Sequence, residues 1–205
     1  MYRLPNIITV GRILLVPVFV IAFALPGTTW RLVAFVVFCI AGLSDALDGL
    51  AARKFNAGSD FGRMLDPIAD KVLVAVALMM LVAEGSVREF TEFNWEPSLR
   101  TLLRLVPALI ILSREILVSG LREFLAGTRV KIRVTAVAKL KTTIQMIAIG
   151  AMILGPIADE YIPGATYFAY AALWVAAGLT VYTGAVYFTA GLAHLHPQRP
   201  PGANG

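Results

Sequence analysis

Six apolar stretches of the sequence are long enough to cross a lipid bilayer as α-helices, and they constrain the fold more than any other feature. A helix of about 20 apolar residues matches the hydrocarbon core of a membrane. We therefore predict an all-α integral membrane protein with six transmembrane helices, forming a single domain over residues 1–196. The stretches cover residues 7–25, 31–53 (fully apolar to 43), 61–83, 99–124, 134–154 and 161–192.

The composition and the charge distribution support this interpretation. Charged residues make up 15% of the chain, whereas a soluble domain has about 25%. The net charge is +5, and most basic residues fall on the side of the predicted bundle that carries both termini. Both termini are therefore predicted to be cytoplasmic, and the basic excess is not attributed to nucleic acid. Residues 197–205, which are polar and rich in Pro and Gly, are predicted to be disordered.

Four aspartates lie at the ends of the second and third predicted helices. A carboxylate buried in a membrane is costly, so it is retained only with a partner or a function. On each helix the aspartates share one face with small residues, and the short connection makes the two helices antiparallel neighbours. These residues are Asp45, Asp48, Gly49 and Ala52 on the second helix, and Gly62, Asp66 and Asp70 on the third.

Four converging carboxylates repel one another unless cations neutralise them. Mg²⁺ or Mn²⁺ prefers oxygen ligands, and two such ions could share the four aspartates. The neighbouring Arg53 can bind a phosphate or diphosphate with its planar fork, so the segment is typical of phosphoryl chemistry. Two alternatives remain open: Arg53 could be a snorkelling loop charge, and the small residues could serve helix packing rather than ligand binding.

The stretch from Asp45 to Asp70 resembles the signature of the CDP-alcohol phosphotransferases, D-x2-D-G-x2-A-R-x8-G-x3-D-x3-D, at all eight fixed positions. The resemblance implies that Asp45, Asp48 and Asp66 hold the metals, and that Asp70 is the general base while lying close to the second metal. It also implies a homodimer. The residues assigned in this way to the CDP-lipid site are Gly49, Ala52, Arg53 and Gly62.

Further stretches resemble the bacterial members of this family that use glycerol 3-phosphate as the acceptor. The resemblance implies that the acceptor hydroxyl attacks the phosphorus next to the lipid of CDP-diacylglycerol and that CMP leaves. It also implies a multi-pass protein of the bacterial cytoplasmic (inner) membrane with its active site facing the cytoplasm. The stretches that carry this resemblance are residues 4–12, 66–71, 113–123 and 138–143.

Basic residues of the second half of the chain are the candidates for binding the acceptor phosphate. Arg114 lies deep in the fourth span beside Glu115, and an ion pair at such a depth indicates a function. Arg122 lies on the same side of that helix, while Lys139 and Lys141 begin the fifth span. We predict that these four cations bind the phosphate, and that the basic residues at 129–133 contact anionic membrane lipids.

Two other functions remain open at this level. The same carboxylates could serve a cation transporter, although Arg53, Lys54 and Lys71 beside them would repel cations. The signature alone is also compatible with other acceptors, namely phosphatidylglycerol, inositol phosphate or serine. Acidic residues after the third span, among them Glu84, are predicted to form a solvated face, and no site residue is assigned to the sixth span.

Overall fold

The computed structural model describes residues 4–55, 60–89, 99–127 and 136–195. These residues form six α-helices and no strand, which confirms the predicted all-α class. The predicted tail at 197–205 and the basic loop at 129–133 lie outside the described residues. The helices are α1 (Leu4–Ala24), α2 (Thr28–Phe55), α3 (Asp60–Glu89), α4 (Leu99–Gly127), α5 (Ala136–Ala158) and α6 (Ala165–Leu195).

Two helix ends show how local chemistry sets the boundaries. The predicted end of the first helix at Pro26-Gly27 is confirmed, because Gly27 adopts a φ of 109° in the turn to α2. The prediction that Gly155-Pro156 closes the fifth helix is wrong, since α5 continues to Ala158. Proline removes one amide donor, but the next turn still forms because the Asp159 amide donates to the Gly155 carbonyl at 3.0 Å.

The sixth helix begins later than predicted, at Ala165, because residues 159–164 form a turn. Gly164 has a φ of 93° in this turn. The Thr166 amide donates to Asp159 Oδ1 at 3.1 Å and fixes the start of α6. Hydrogen bonds from the side chain and backbone of Thr166 lower the pKa of the Asp159 carboxyl below its ordinary value of 3.8.

The helices pack into one bundle with an apolar interior. α1 packs on α2 and α3, α4 packs on α3 and α6, and α5 packs on α2, α3 and α6. The rings of Phe19 and Phe38 meet with their centroids 6.1 Å apart. Each helix contributes at least one almost fully buried large side chain, represented by Phe19, Phe38, Leu78, Ile111, Ile149 and Leu173.

The outer surface of the bundle is also apolar. Every helix exposes a large hydrophobic side chain by more than half, as shown by Leu14, Ile40, Met79, Ile116, Ile147 and Phe188. Such surfaces are typical of contact with a membrane or a partner. Within the described residues, Leu140–Ala158 and Ala165–Thr189 are apolar and long enough to cross a membrane, while Thr9–Ala24 and Thr28–Ser44 are shorter apolar helical segments.

One end of the bundle is tied by ion pairs that we call the arginine–glutamate layer, formed by Arg31, Glu84 and Arg104. Arg31 donates through Nη1 and Nη2 to the two carboxylate oxygens of Glu84 at 2.7 and 2.9 Å. Arg104 Nη1 lies 3.4 Å from Glu84 Oε2. The prediction of a solvated face is therefore wrong for Glu84, because two arginines from other helices pair with it.

The remaining helices also contact this layer. Arg31 Nε donates to the Ile153 carbonyl of α5 at 2.7 Å, and its guanidinium carbon lies 4.1 Å from the centre of the Phe23 ring of α1. Arg104 Nε donates to the Tyr170 hydroxyl of α6 at 3.0 Å. The layer thus connects all six helices at the end where α2 begins.

Candidate functional site

The two aspartate pairs lie on two helices that contact each other. Asp45 and Asp48 belong to the second half of α2, and Asp66 and Asp70 belong to the first half of α3. The predicted CDP-lipid residues lie on the same two helix segments. The described part of the structure covers the backbone, but not the side chains, of Asp45, Asp48, Gly49, Ala52, Arg53, Gly62, Asp66 and Asp70.

The register of α2 relates its aspartate positions to a buried face. Ala34, Phe38 and Ala41 are buried against the rest of the bundle. Positions 45 and 48 follow Ala41 by four and seven residues, which is the spacing of one helix face. The first aspartate pair therefore continues the buried face of α2 towards its C-terminal end.

The register of α3 likewise relates its aspartate positions to a buried face. Ala69, Leu73 and Ala77 are buried at intervals of four residues. Positions 66 and 70 precede Ala69 and Leu73 by three residues, so they continue this buried face towards the N-terminal end of α3. On each helix, the aspartate positions are thus in register with residues that are buried in the bundle.

The donor chemistry of these positions fits a hard divalent cation, since each supplies carboxylate oxygens. The described side chains include no group of three or more His, Cys, Asp or Glu that could hold a metal ion. The four predicted aspartates are not among these described side chains.

A cavity of about 580 Å³ lies between α1, α2, α3 and α5, and its lining on α2 extends to Leu43, two residues before Asp45. Arg12, Leu43 and Thr142 line it near the end where Asp45 is located, and Arg12 is almost completely buried. Its lining continues along α5 to Leu154, which is about 18 Å from Thr142 at the rise of an α-helix. The cavity therefore has polar groups close to the aspartates and an apolar extension along the helices.

Two of the four predicted acceptor residues meet at one carboxylate, and we call Arg114, Glu115 and Lys141 the cation cluster. Lys141 Nζ donates to Glu115 Oε1, and Arg114 Nη1 lies 3.5 Å from the same oxygen. Only 3% of the Lys141 side chain and 13% of the Arg114 side chain are exposed. The other two predicted residues, Arg122 and Lys139, belong to α4 and α5, and their side chains lie outside the described part.

The cation cluster combines two positive charges with one negative charge. The carboxylate offsets part of the cost of burying the two cations. Arginine and lysine are the usual partners of phosphate groups. The cluster is therefore suited to binding an anion such as a phosphate monoester.

A hydrogen bond connects this cluster with the aspartate segment of α3. Lys71, which directly follows Asp70, donates through Nζ to Ser119 Oγ at 2.5 Å. Ser119 follows Glu115 by four residues, so both lie on one face of α4. The polar face of α4 thus extends from the cation cluster to the neighbourhood of Asp70.

The structure brings α6 into contact with the candidate site, although the sequence predicted no site residue on that helix. Arg114 Nη2 donates to Thr183 Oγ1 of α6 at 3.0 Å. The sequence signal for a polar contact on α6 is the pair Thr180 and Thr183, because two hydroxyls three residues apart in an apolar helix share one face. The sequence predicts Glu115 as the intramembrane partner of Arg114, whereas its contact with Lys141 depends on where the bundle places α5 relative to α4.

Comparison with known proteins gives a consistent result. Residues 2–182 match the family model of the CDP-alcohol phosphatidyltransferases. A protein of Rickettsia felis is 40% identical over 191 residues, covering 92% of this chain and 94% of its own length. A protein of Escherichia coli K12 is 38% identical over 200 residues, covering 96% of this chain and 99% of its own. Both are named CDP-diacylglycerol–glycerol-3-phosphate 3-phosphatidyltransferase.

Proposed function

The chain belongs to the CDP-alcohol phosphatidyltransferase family, and on this premise we propose that it transfers the phosphatidyl group of CDP-diacylglycerol to glycerol 3-phosphate. The products are phosphatidylglycerophosphate and CMP, which places the protein in anionic phospholipid biosynthesis. The observation that carries this proposal is the identity of 38–40% with relatives of that name over more than nine-tenths of the chain. The cation cluster supports the choice of a phosphorylated acceptor.

Each site would hold two ions of Mg²⁺ or Mn²⁺, and the residues that would hold them are Asp45, Asp48, Asp66 and Asp70. Their support is the carboxylate chemistry and the register that each pair shares with buried residues of its own helix. When bound, such ions neutralise the diphosphate and make its phosphorus more electrophilic.

The transfer itself needs one proton acceptor. The acceptor hydroxyl forms a bond to the phosphorus next to the lipid, and the bond from that phosphorus to the CMP oxygen breaks. Asp70 takes the hydroxyl proton as the general base. CMP leaves with the electron pair of the broken bond, so atoms and charge are balanced without a covalent enzyme intermediate.

The donor lipid occupies the side of the site formed by α2 and α5. Gly49, Ala52, Arg53 and Gly62 would contact the cytidine and diphosphate, where small residues allow close approach and the guanidinium pairs with a phosphate. The cavity that begins at Arg12 and Leu43 extends along apolar lining, and we assign one acyl chain to it. Its polar end beside the aspartates matches the polarity of a lipid whose head group carries the diphosphate.

The acceptor occupies the side formed by α4 and α5. Arg114 and Lys141 are already brought together by Glu115. Arg122 lies on α4, about two turns after Arg114. Lys139 lies on α5, about half a turn before Lys141. We propose that these four cations hold the phosphate of glycerol 3-phosphate. The hydrogen bond between Lys71 and Ser119 supports a position of this phosphate close to Asp70.

We propose that the whole chain to residue 196 is one domain that spans the bacterial cytoplasmic membrane six times. Both termini and the active site then face the cytoplasm, where CMP and glycerol 3-phosphate are soluble. The apolar outer surface of all six helices supports this placement. A homodimer, as the family resemblance implies, would cover part of that surface.

The test of this function is an acceptor screen with the purified full-length protein in lipid nanodiscs. Labelled CDP-diacylglycerol and Mg²⁺ are supplied with glycerol 3-phosphate, phosphatidylglycerol, inositol phosphate or serine, and the labelled lipid is identified. We expect phosphatidylglycerophosphate and an equal amount of CMP with glycerol 3-phosphate alone. A product with a different acceptor would overturn the assigned acceptor, and no product with any of them would overturn the transferase assignment.

A further inference from the structure

The last helix holds one of the acceptor cations. We propose that Thr183 and Gly184 of α6 form a seat for Arg114 and are positioning residues of the acceptor site. This inference rests on the proposed function, because it concerns how Arg114 is presented to the phosphate of glycerol 3-phosphate. It gives α6 a role that the family signature, confined to α2 and α3, does not contain.

The Thr183 hydroxyl is oriented for this task by its own helix. It lies 2.9 Å from the Leu179 carbonyl and 3.2 Å from the Thr180 carbonyl, so its single proton is directed to the backbone of α6. Its oxygen then accepts from Arg114 Nη2 at 3.0 Å. Thr183 is almost completely buried, and an acceptor held in this way fixes the direction of the guanidinium.

Gly184 provides the space through which the arginine side chain passes. A Cβ atom at this position would lie 3.0 Å from Arg114 Cγ and 3.5 Å from its Nε. This is closer than ordinary van der Waals contact, so any larger residue displaces the stem of Arg114 or pushes α6 away. Gly178 on the same helix has open space around its Cβ position, which shows that close approach is a local property of Gly184.

Two further contacts complete the seat. The guanidinium carbon of Arg114 lies 5.8 Å from the centre of the buried Tyr187 ring, within reach of a cation–π interaction. On the other side, Arg114 Nη1 faces Glu115 of its own helix at 3.5 Å. The arginine is thus held between α4 and α6, and a displacement of a few tenths of an ångström at Gly184 changes its direction towards the acceptor.

The experiment compares four variants of the full-length protein in nanodiscs: Gly184→Ala, Gly178→Ala, Thr183→Val and Thr183→Ser. For each, kcat and the KM values for glycerol 3-phosphate and for CDP-diacylglycerol are measured, together with the melting temperature. Gly184→Ala and Thr183→Val are expected to raise the KM for glycerol 3-phosphate about tenfold, the size of a lost hydrogen bond to a charged group. Their KM for CDP-diacylglycerol stays within a factor of two of the wild type.

The conservative and matched variants separate positioning from folding. Thr183→Ser retains the hydroxyl and is expected to keep the wild-type KM for glycerol 3-phosphate, as is Gly178→Ala. If Gly184→Ala and Thr183→Val keep that KM, or raise the KM values for both substrates equally, the seat is wrong while the transferase activity stands. If the wild type forms no phosphatidylglycerophosphate, the proposed function is wrong, and the seat that rests on it is overturned with it.

Discussion

The ammonium of Lys141 on α5 donates to the carboxylate of Glu115 on α4, 26 residues earlier in the chain, inside the helical bundle. Arg114 faces the same carboxylate oxygen. One carboxylate therefore joins the two described cations assigned to the acceptor phosphate. This contact says more about the acceptor site than the presence of the two cations alone, because it defines the position of Arg114 relative to Lys141.

Replacing this carboxylate should weaken both the fold and acceptor binding. Glu115→Gln removes the carboxylate charge that two buried cations share, and removal of one partner from a buried ion pair costs about 3 kcal/mol or more. We expect a lower melting temperature and a raised KM for glycerol 3-phosphate. Glu123→Gln is the matched control, since Glu123 is exposed on the same helix, and it should change neither quantity. Equal melting temperatures for the two variants would contradict the prediction.

The ion pairs at the opposite end of the bundle should matter for stability alone. Glu84 accepts from Arg31 and pairs with Arg104, and it lies about 21 Å from the level of Asp70 at the rise of an α-helix. Glu84→Gln is expected to cost about 1–2 kcal/mol, between the values for exposed and buried pairs. Thermal unfolding measures this loss, and the KM for each substrate should remain at the wild-type value.

The control for that variant is Glu160→Gln, a solvent-exposed glutamate in the turn between α5 and α6. Its melting temperature should equal that of the wild type. A change in either KM upon Glu84→Gln would show that the arginine–glutamate layer is coupled to the site, contrary to this separation of roles.

The helices and one of their boundaries could be predicted from the sequence. Apolar runs of helical length predict the six helices, since burial of a helix in a bundle or in lipid requires such runs. The boundary at Pro26-Gly27 follows from local chemistry in the same way. The continuation of α5 past Pro156 does not, because it depends on the amide of Asp159 outside the apolar run.

The partnerships across helices could not be predicted from local patterns. Arg31 and Glu84 are 53 residues apart, and Arg114 and Thr183 are 69 residues apart. Their contacts depend on which helices become neighbours and on the rotation of each helix about its axis. The expectation of a solvated face for Glu84 fails for this reason, whereas the prediction that the aspartates of α2 and α3 share single faces needs only the spacing within each helix.

The cavity between α2 and α5 should determine which acyl chains are accepted. Ala151 lines it, and Ala151→Phe inserts a ring where we place the lipid chain. Overfilling of this kind costs about 1–3 kcal/mol, so the KM for long-chain CDP-diacylglycerol should rise while that for a short-chain analogue changes little. Ala171→Phe, at an exposed position of α6, is the size-matched control. An equal effect on long and short chains would exclude this cavity as the acyl site.

Asp70 is the residue on which the chemical step depends. Asp70→Asn cannot accept the hydroxyl proton, and loss of a general base typically lowers the rate by about 100-fold or more, so kcat should fall to that extent. CDP-diacylglycerol binding, measured separately with the labelled lipid, should persist because the other three aspartates remain. Asp159→Asn serves as the control at the far end of the bundle and should retain full activity. Wild-type turnover by Asp70→Asn would remove this residue from the base role.

The metal requirement is tested on the wild type. Removal of divalent ions with a chelator should abolish its turnover, and Mg²⁺ or Mn²⁺ should restore it. Turnover that survives the chelator would remove the metals from the site.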